Sequence, residues 1–206
     1  MKHIIAVSAL GAILVAGCAT VATDNRYAER ALEVMKASFK EKGQAGLDRI
    51  NQDETQKLCS RTNDSGPLPK AMAEKIEQAQ LATIKYPVDG KLMGDWKAGE
   101  KIAQSGVGKQ FSDDPRQPSG GNCYACHQLS RQEVAYGTIG PSLYQYGKRR
   151  GSSMEIQKYT FSKVYNAEAF SACSNMPRFG QHGILAEQQI KDVVALLLDP
   201  TSPVNQ

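Results

Sequence analysis

One short motif constrains this chain more than any other feature. Residues 121–127 read Gly-Asn-Cys-Tyr-Ala-Cys-His, so Cys123 and Cys126 are three positions apart and His127 follows directly. On one helical turn, this spacing lets two thiols reach the two vinyl groups of one porphyrin and leaves the histidine as a ligand of the iron. A thioredoxin-like redox pair needs no adjacent histidine, and a zinc site needs further ligands at close spacing. The motif predicts one covalently attached haem c.

Composition sets broad limits on the remainder of the chain. With 206 residues, the chain has room for one or two small domains. Its hydrophobic fraction of 41% and charged fraction of 22% are typical of a soluble globular protein. The net charge is +4, which would fall by one if Lys2 were lost with a leader, and no run of basic residues stands out. We therefore do not expect this chain to bind nucleic acid.

The N-terminus carries the pattern of an export signal. Residues 4–15 are an apolar run that follows Lys2 and is too short to span a bilayer. The sequence Leu-Val-Ala-Gly-Cys at residues 14–18 resembles a bacterial lipobox, in which the peptidase would leave Cys18 acylated. An ordinary cleavage after Ala22 would instead discard Cys18. Either route predicts an exported chain in the periplasm, and the lipobox route makes Cys18 the candidate lipid anchor.

The cysteine count makes a further prediction. Cys18 is either removed with the leader or acylated, and the two cysteines of the haem motif bind the cofactor. Cys59 and Cys173 remain. Exposed thiols oxidise in an exported protein, although sequence alone does not fix which cysteines pair. We predict a disulfide between Cys59 and Cys173.

Hydrophobic periodicity predicts helices and no strands. Apolar residues recur at helical spacing in residues 27–42, 71–84 and 186–198, and Asp95 is a good N-cap for a helix at residues 96–105. A close helix crossing would explain Gly99 within that helix, and so would chance. No run alternates at period two, so the fold class is all-α.

Three regions follow from this organisation. Residues 1–18 form the export signal with its candidate lipobox, residues 19–90 a helical extension, and residues 91–206 a cytochrome c domain. Nothing in the extension has the pattern of a catalytic site, and we expect it to pack on or beside the haem domain.

A second axial ligand decides whether the iron binds exogenous molecules or mainly moves electrons. Met176 lies between the haem motif and the last predicted helix, and Pro177 restrains the backbone beside it. A thioether would raise the reduction potential. We therefore predict Met176 as the ligand over the remaining candidates, which are Met35, Met72, Met93, Met154, His182, Cys59 and Cys173.

Two further features are predicted to serve the cofactor. The carbonyl of Pro141 comes shortly after the haem motif and can accept a hydrogen bond from Nδ1–H of His127, which would fix the imidazole tautomer. The basic residues 148–150 would neutralise haem propionates, face a partner, or form an ordinary solvated surface.

Together these motifs resemble a known family. The haem motif, Gly-Pro-Ser-Leu at residues 140–143 and Met-Pro at residues 176–177 have the order found in class I cytochromes c. Residues 137–143, 173–180 and 198–205 resemble the SoxX family, the monohaem subunit of the SoxAX cytochrome of bacterial thiosulfate oxidation. The resemblance covers residues 91–206, and the earlier part of the chain is more weakly similar to the N-terminal extension of longer members.

The resemblance implies a role in sulfur oxidation. SoxAX joins thiosulfate oxidatively to a cysteine of the carrier protein SoxYZ and releases two electrons, with the sulfur chemistry placed at a haem of SoxA. The chain would then be the non-catalytic redox subunit of this L-cysteine S-thiosulfotransferase, in a heterodimer with a SoxA-like c-type cytochrome. Its haem, held by His127 and Met176, would pass electrons to a small cytochrome.

Two other classes of function remain open on sequence. The chain could be a free-standing periplasmic electron-carrier cytochrome c, or a haem enzyme with an open iron position, such as a peroxidase. A stable complex with a second c-type cytochrome distinguishes the first alternative from the SoxX-like role. Binding of an exogenous ligand to ferric iron at neutral pH identifies the second.

Overall fold

The regular structure of this protein is helical. A computed structural model describes residues 25–60 and 66–206, so the predicted export signal and Cys18 lie outside the described residues. Within these ranges there is no β-strand, and an isolated antiparallel bridge joins Lys42 to Ala45. The all-α prediction is confirmed.

Seven helices and four short 3₁₀ turns are found in the described ranges. The helices are α1 (Asn25–Ser38), α2 (Glu54–Ser60), α3 (Lys70–Leu81), α4 (Trp96–Gln104), α5 (Tyr146–Arg150), α6 (Met154–Tyr165) and α7 (Glu187–Leu198), and the 3₁₀ turns are Leu47–Ile50, Cys123–Ala125, Ala167–Ala169 and Pro203–Asn205. Helices α1 and α3 end a few residues earlier than the periodicity predicts. None of the helices in the described ranges has the length and apolar character needed to cross a membrane.

The chain divides into two units after Ser38. The described part of the first unit is α1. The second unit, residues 39–206, contains all of the predicted site residues from Cys59 onward. The boundary placed at residue 90 between extension and haem domain stays a prediction.

Helix α7 forms the centre of the core and crosses α4 closely. Ile190, Val194 and Leu196 of α7 are fully buried. A Cβ atom added at Gly99 of α4 would collide with the backbone carbonyl of Asp192 in α7, so only glycine lets the two helices approach this far. Of the two explanations left open for Gly99, the structure therefore supports a close helix crossing.

Helix α6 was not predicted from the sequence. Ser153 caps it by accepting a hydrogen bond from the amide of Ile156 at 3.4 Å, and Phe161 is fully buried in the core. Its inward residues, Ile156, Thr160, Phe161 and Val164, have helical spacing. The helix is also rich in aromatic and β-branched residues, which favour strands, and this composition weakens the helical signal.

The N-terminal segment, here residues 39–90, packs onto the rest of its unit through buried polar contacts. Gln80 donates to Thr55 at 2.8 Å, and the Asn166 amide donates to the Gln80 side-chain oxygen at 2.8 Å. The hydroxyls of Tyr86 and Ser162 are 2.7 Å apart. Because buried polar groups must be paired, these contacts fix α2 and α3 beside the residues that follow α6.

Candidate haem site

The residues predicted to hold haem lie around one cavity. Its volume is about 750 Å³, within the usual range for pockets that hold small molecules and cofactors. The structure brings together five predicted residues in its lining: Cys123, Cys126, His127, Pro141 and Met176.

The haem motif forms a tight turn, here called the CxxCH turn (residues 123–127). Asn122 precedes it with a φ of 46°, a left-handed conformation that asparagine adopts more readily than most residues. The amide of His127 bonds the carbonyl of Cys123 at 2.9 Å, and the amide of Gly121 bonds the carbonyl of Ile102 in α4 at 2.8 Å. Helix α4 therefore anchors the start of the turn.

Both thiols of the CxxCH turn are free in this structure. Attachment through two thioethers requires that neither thiol be used in a disulfide, and this condition is met. Burial raises the pKa of Cys123 to about 12, so at neutral pH its sulfur is a protonated thiol in the protein without cofactor.

The imidazole of His127 is held in one tautomer. Its Nδ1 lies 2.7 Å from the carbonyl oxygen of Pro141. Because a carbonyl only accepts, Nδ1 must carry the proton, which leaves the lone pair on Nε2 for a metal. This is the contact expected from the sequence between these two residues.

Residues 137–143 lie along the CxxCH turn and support the ring. Backbone amides of Gly137, Gly140 and Leu143 bond carbonyls of residues 124, 126 and 128, each at 2.8 Å. A Cβ atom at Gly140 would collide with the ring of His127. Glycine is therefore needed there for the segment to approach the imidazole.

Met176 lines the same cavity from a different part of the chain. It belongs to residues 171–180, here called the Met176 loop, and its partly buried side chain packs against the hydrophobic core. Its own amide donates to the Ser174 hydroxyl at 3.2 Å. The thioether is uncharged and soft, as a haem iron ligand of high potential requires.

The remaining ligand candidates of this unit are placed differently. Cys59 and Cys173 are joined by a disulfide, with an S–S distance of 1.98 Å and a Cα–Cα distance of 5.4 Å. Cys173 lines the cavity, but its sulfur is used in that bond. The residues Cys59, Met72, Met93, Met154 and His182 are not part of the cavity lining.

Two cations also line the cavity. Of the three basic residues 148–150, Arg150 is in the lining, and its guanidinium lies 5.1 Å from the Tyr146 ring and 5.5 Å from the Tyr159 ring. Lys163 donates to the carbonyl of Ala167 at 3.3 Å, and burial lowers its pKa. Two cations match the two carboxylates of the haem propionates.

Several lining residues were missed by the sequence analysis. Tyr159, Thr160, Lys163 and Val164 come from α6, which was not predicted as a helix. Their signal was the Ser153 cap followed by apolar residues at helical spacing.

The donor set fits haem c. The cavity offers two free thiols, an imidazole whose Nδ1 is already bonded, a thioether and two cations. Each of these groups has a chemical partner on haem. The two thiols would bond the two vinyl groups, the imidazole and the thioether would bind the iron, and the two cations would pair with the two propionates.

One comparison with known proteins, the match to a family model, agrees with this fit. Residues 98–199 match the family model for cytochrome c. A protein of Aquifex aeolicus (strain VF5), described as an uncharacterised lipoprotein, is 40% identical over 158 residues, covering 75% of this chain and 73% of the relative. The crystal structure of SoxXA from P. pantotrophus is 28% identical over 52% of this chain and 82% of that chain, with a TM-score of 0.36. That TM-score is too low to support an inference about fold or function.

The matched range contains the CxxCH turn, Pro141 and Met176. The prediction of haem c as the cofactor is confirmed. Residues 98–199 form a domain of the cytochrome c family, which carries a covalently attached haem c.

Proposed function

We propose that this chain is a one-electron carrier whose haem is attached through Cys123 and Cys126 and whose iron is held by His127 and Met176. The observation that carries the proposal is that Met176 lines the same cavity as His127. Bound haem supplies a one-electron couple between ferric and ferrous iron. With protein ligands at both axial positions, such iron transfers electrons instead of binding a substrate.

The surrounding residues tune that couple. The Pro141 carbonyl keeps the proton on Nδ1 of His127, which orients the ring and makes Nε2 a stronger ligand. The thioether of Met176 favours ferrous iron and raises the reduction potential. Leu143, Val164, Phe179 and Leu197 line the cavity and exclude water, which lowers the local dielectric.

We propose further that the chain is the electron-accepting subunit of a SoxAX-type complex. The resemblance of residues 137–143, 173–180 and 198–205 to SoxX supports this role, and residues from the first two segments line the cavity. Asn205, in the third segment, accepts from the Gly147 amide at 2.8 Å and donates to the Leu197 carbonyl at 3.1 Å. These bonds connect the C-terminus to α5 and α7.

In that role the chain does not itself conjugate thiosulfate. A SoxA-like c-type cytochrome would perform the sulfur chemistry on the carrier protein SoxYZ, and a small cytochrome would take the electrons. If His127 and Met176 both held the iron, no coordination position would be left for sulfur. Cys173 is used in a disulfide, so its thiol is not available as a nucleophile.

The test uses the purified haem-loaded chain, a SoxA-like partner and the reconstituted pair, each with thiosulfate, carrier protein and an electron acceptor. We expect this haem to be reduced only when the partner is present. Turnover by this chain alone would overturn the subunit role. Failure to form a complex, together with ready exchange of electrons with several small cytochromes, would indicate a free-standing carrier instead.

We also propose that the mature protein is periplasmic and anchored by lipid at Cys18. The lipobox-like residues 14–18 support this location, and the Aquifex relative is described as a lipoprotein. Cells fed a labelled fatty acid should incorporate it into the wild-type chain and not into a Cys18→Ser variant. An unlabelled wild-type chain would show that Cys18 is removed with the leader.

A further inference from the structure

We propose that the N-terminal segment positions Met176: Asp53, Cys59 and Glu77 brace the Met176 loop and determine how tightly the sulfur is held on the iron. The inference rests on the ligation by Met176 proposed above. It assigns to the N-terminal segment a role in the electron-transfer site.

Three tethers join the Met176 loop to the N-terminal segment. The amide of Ala172 donates to the carboxylate of Glu77 at 3.0 Å, and Cys173 is bonded to Cys59. After the methionine, Arg178 donates to the carboxylate of Asp53 at 2.6 Å. The tethers lie on both sides of Met176, so the N-terminal segment holds the loop before and after the ligand.

The ion pair with Asp53 has a clear physical basis. The side chain of Arg178 is only 5% exposed, and a buried guanidinium is costly without a nearby counter-charge. Glu168 is the second carboxyl, 3.5 Å from Nε of Arg178, but its closer oxygen makes no hydrogen bond, and burial raises the pKa of Glu168. Asp53 is therefore the main hydrogen-bonded counter-charge of Arg178.

Asp53 remains ionised at neutral pH. Burial acts to raise its pKa, but the amide of Gln56 and the guanidinium of Arg178 outweigh this effect and hold the pKa below its ordinary value. The two oxygens of Asp53 have separate roles. One accepts from the Gln56 amide at 2.8 Å, and the other accepts from Arg178.

Helix α2 connects two of the tethers as one rigid element. Asp53 caps the start of α2, since its side chain accepts a hydrogen bond from the Gln56 amide. The Gln56 side chain in turn accepts from the Asp53 amide at 2.8 Å, which completes a reciprocal capping arrangement. Cys59 lies in the last turn of the same helix. The helix therefore fixes the separation between Cys173 and Arg178, the two attachment points that flank Met176.

Among the described residues, one face of the Met176 loop is not closely packed, so the loop depends on these tethers. Between the described residues, Cys173, Ser174 and Asn175 border a second cavity of about 450 Å³ with mainly polar walls. Cys173 also has a φ of 61°, in the left-handed region that non-glycine residues seldom occupy. The loop conformation is thus maintained by its attachments more than by packing on this face.

The opening and closing of the Met176 loop is then an equilibrium that can be measured. An exogenous ligand binds the iron only when the Met176 sulfur has left it, so the affinity for that ligand reports how often the loop opens. Removing the tether made by Asp53 should raise the affinity without changing any residue of the cavity lining.

The first test uses the ferric haem-loaded protein, cyanide as the probe and the variant Asp53→Asn. Asparagine keeps the oxygen that caps α2, and Glu168 remains beside Arg178, so we expect the variant to fold. Loss of a charged hydrogen-bond acceptor that is partly exposed should strengthen cyanide binding about three- to tenfold. The far-red charge-transfer band of thioether ligation should weaken in parallel.

Asp114→Asn is the matched control. It also removes a carboxylate bonded to an arginine, at 2.7 Å, but that exposed pair is confined to residues 114 and 116. We expect wild-type cyanide affinity. An equal rise in cyanide affinity in both variants would show a general effect of lost charge. It would contradict the proposal that Asp53 holds the Met176 loop in place.

The second test removes the disulfide through the double variant Cys59→Ala/Cys173→Ala. Replacing both cysteines leaves no thiolate from this pair to compete for the iron, and we expect cyanide to bind at least tenfold more tightly. If this variant does not fold, the ferrous wild-type protein can be compared with and without a phosphine reductant under carbon monoxide. Thioethers resist the reductant, so faster or tighter carbon monoxide binding after reduction supports the brace.

The outcomes separate this inference from the proposed function. If Met176→Ala abolishes the far-red band while the Asp53 and disulfide variants bind cyanide as the wild type does, the brace is wrong and the ligation stands. If Met176→Ala keeps the wild-type spectrum, the ligation itself is wrong, and the brace is overturned with it.

Discussion

The two ligand-bearing walls of the haem cavity are built in different ways. The His127 wall is local: three backbone bonds join residues 137–143 to residues 124–128. The Met176 wall is held by contacts between residues 95, 114 and 125 positions apart in sequence. One wall is specified by a short stretch of chain, whereas the other is held by contacts with the N-terminal segment.

This difference implies that the walls can be weakened separately. A change in the N-terminal segment should loosen the thioether and leave the imidazole in place. A change in residues 137–143 should disturb the imidazole and leave the tethers of the Met176 loop intact.

Removing the disulfide should have the largest effect on stability. Cys59→Ala/Cys173→Ala opens a link between residues 114 positions apart, and the chain-entropy relation gives a loss of about 4–5 kcal/mol in the free energy of unfolding. Denaturant unfolding of the haem-loaded protein measures this change. Peptide mass spectrometry without reduction should find Cys59 and Cys173 joined in the wild type, and a free thiol at either position would contradict the expectation.

Gly140→Ala should act on the other wall. The new methyl group would collide with the His127 ring, and such overpacking costs about 1–3 kcal/mol. We also expect altered imidazole signals in the paramagnetic NMR spectrum, because the ring must shift from the Pro141 carbonyl. Gly106→Ala is the matched control, since its methyl group would meet Asn122 only at ordinary contact distances of 3.4 Å or more. Equal losses in both variants would contradict a special role for Gly140.

The smallest expected effect is the pH dependence of the Asp53–Arg178 pair. The pKa of Asp53 is depressed in the folded protein, so its stabilisation is complete above about pH 4, the pKa of an unfolded aspartate, and is lost as pH falls through the folded value. The carboxylate side chain is 43% exposed, so we expect no more than about 1 kcal/mol.

Unfolding of the wild type and Asp53→Asn between about pH 2 and pH 6 tests this sign. The free energy of unfolding of the wild type should fall more steeply towards acid, and the two curves should converge at the lowest pH. Parallel curves would show that Asp53 does not titrate differently in the folded protein.

The same contrast explains what could be predicted from the sequence. The CxxCH turn and the Pro141 contact were accessible because the residues that make them are close in sequence. The helices α4 and α7 could also be predicted, α4 from its N-cap residue and α7 from its apolar stripe. Counting the cysteines predicted the disulfide between Cys59 and Cys173. It gave no information on where in the fold this disulfide would lie.

The ion pair of Asp53 with Arg178 could not be predicted, because contacts between residues 125 positions apart leave no local pattern. Helix α6 was missed because its aromatic and β-branched residues favour strands. Arg150 was a candidate for the propionates, but Lys163 was not, since its place in the cavity depends on α6.

The most direct test of the proposed electron-transfer site is the ferric spectrum and reduction potential of Met176→Ala in the haem-loaded protein. We expect the far-red charge-transfer band to disappear, the potential to fall and cyanide to bind readily, while Cys123, Cys126 and His127 keep the haem attached and ligated. A wild-type spectrum and potential in this variant would contradict ligation by Met176 and reopen the choice between an electron carrier and a haem enzyme.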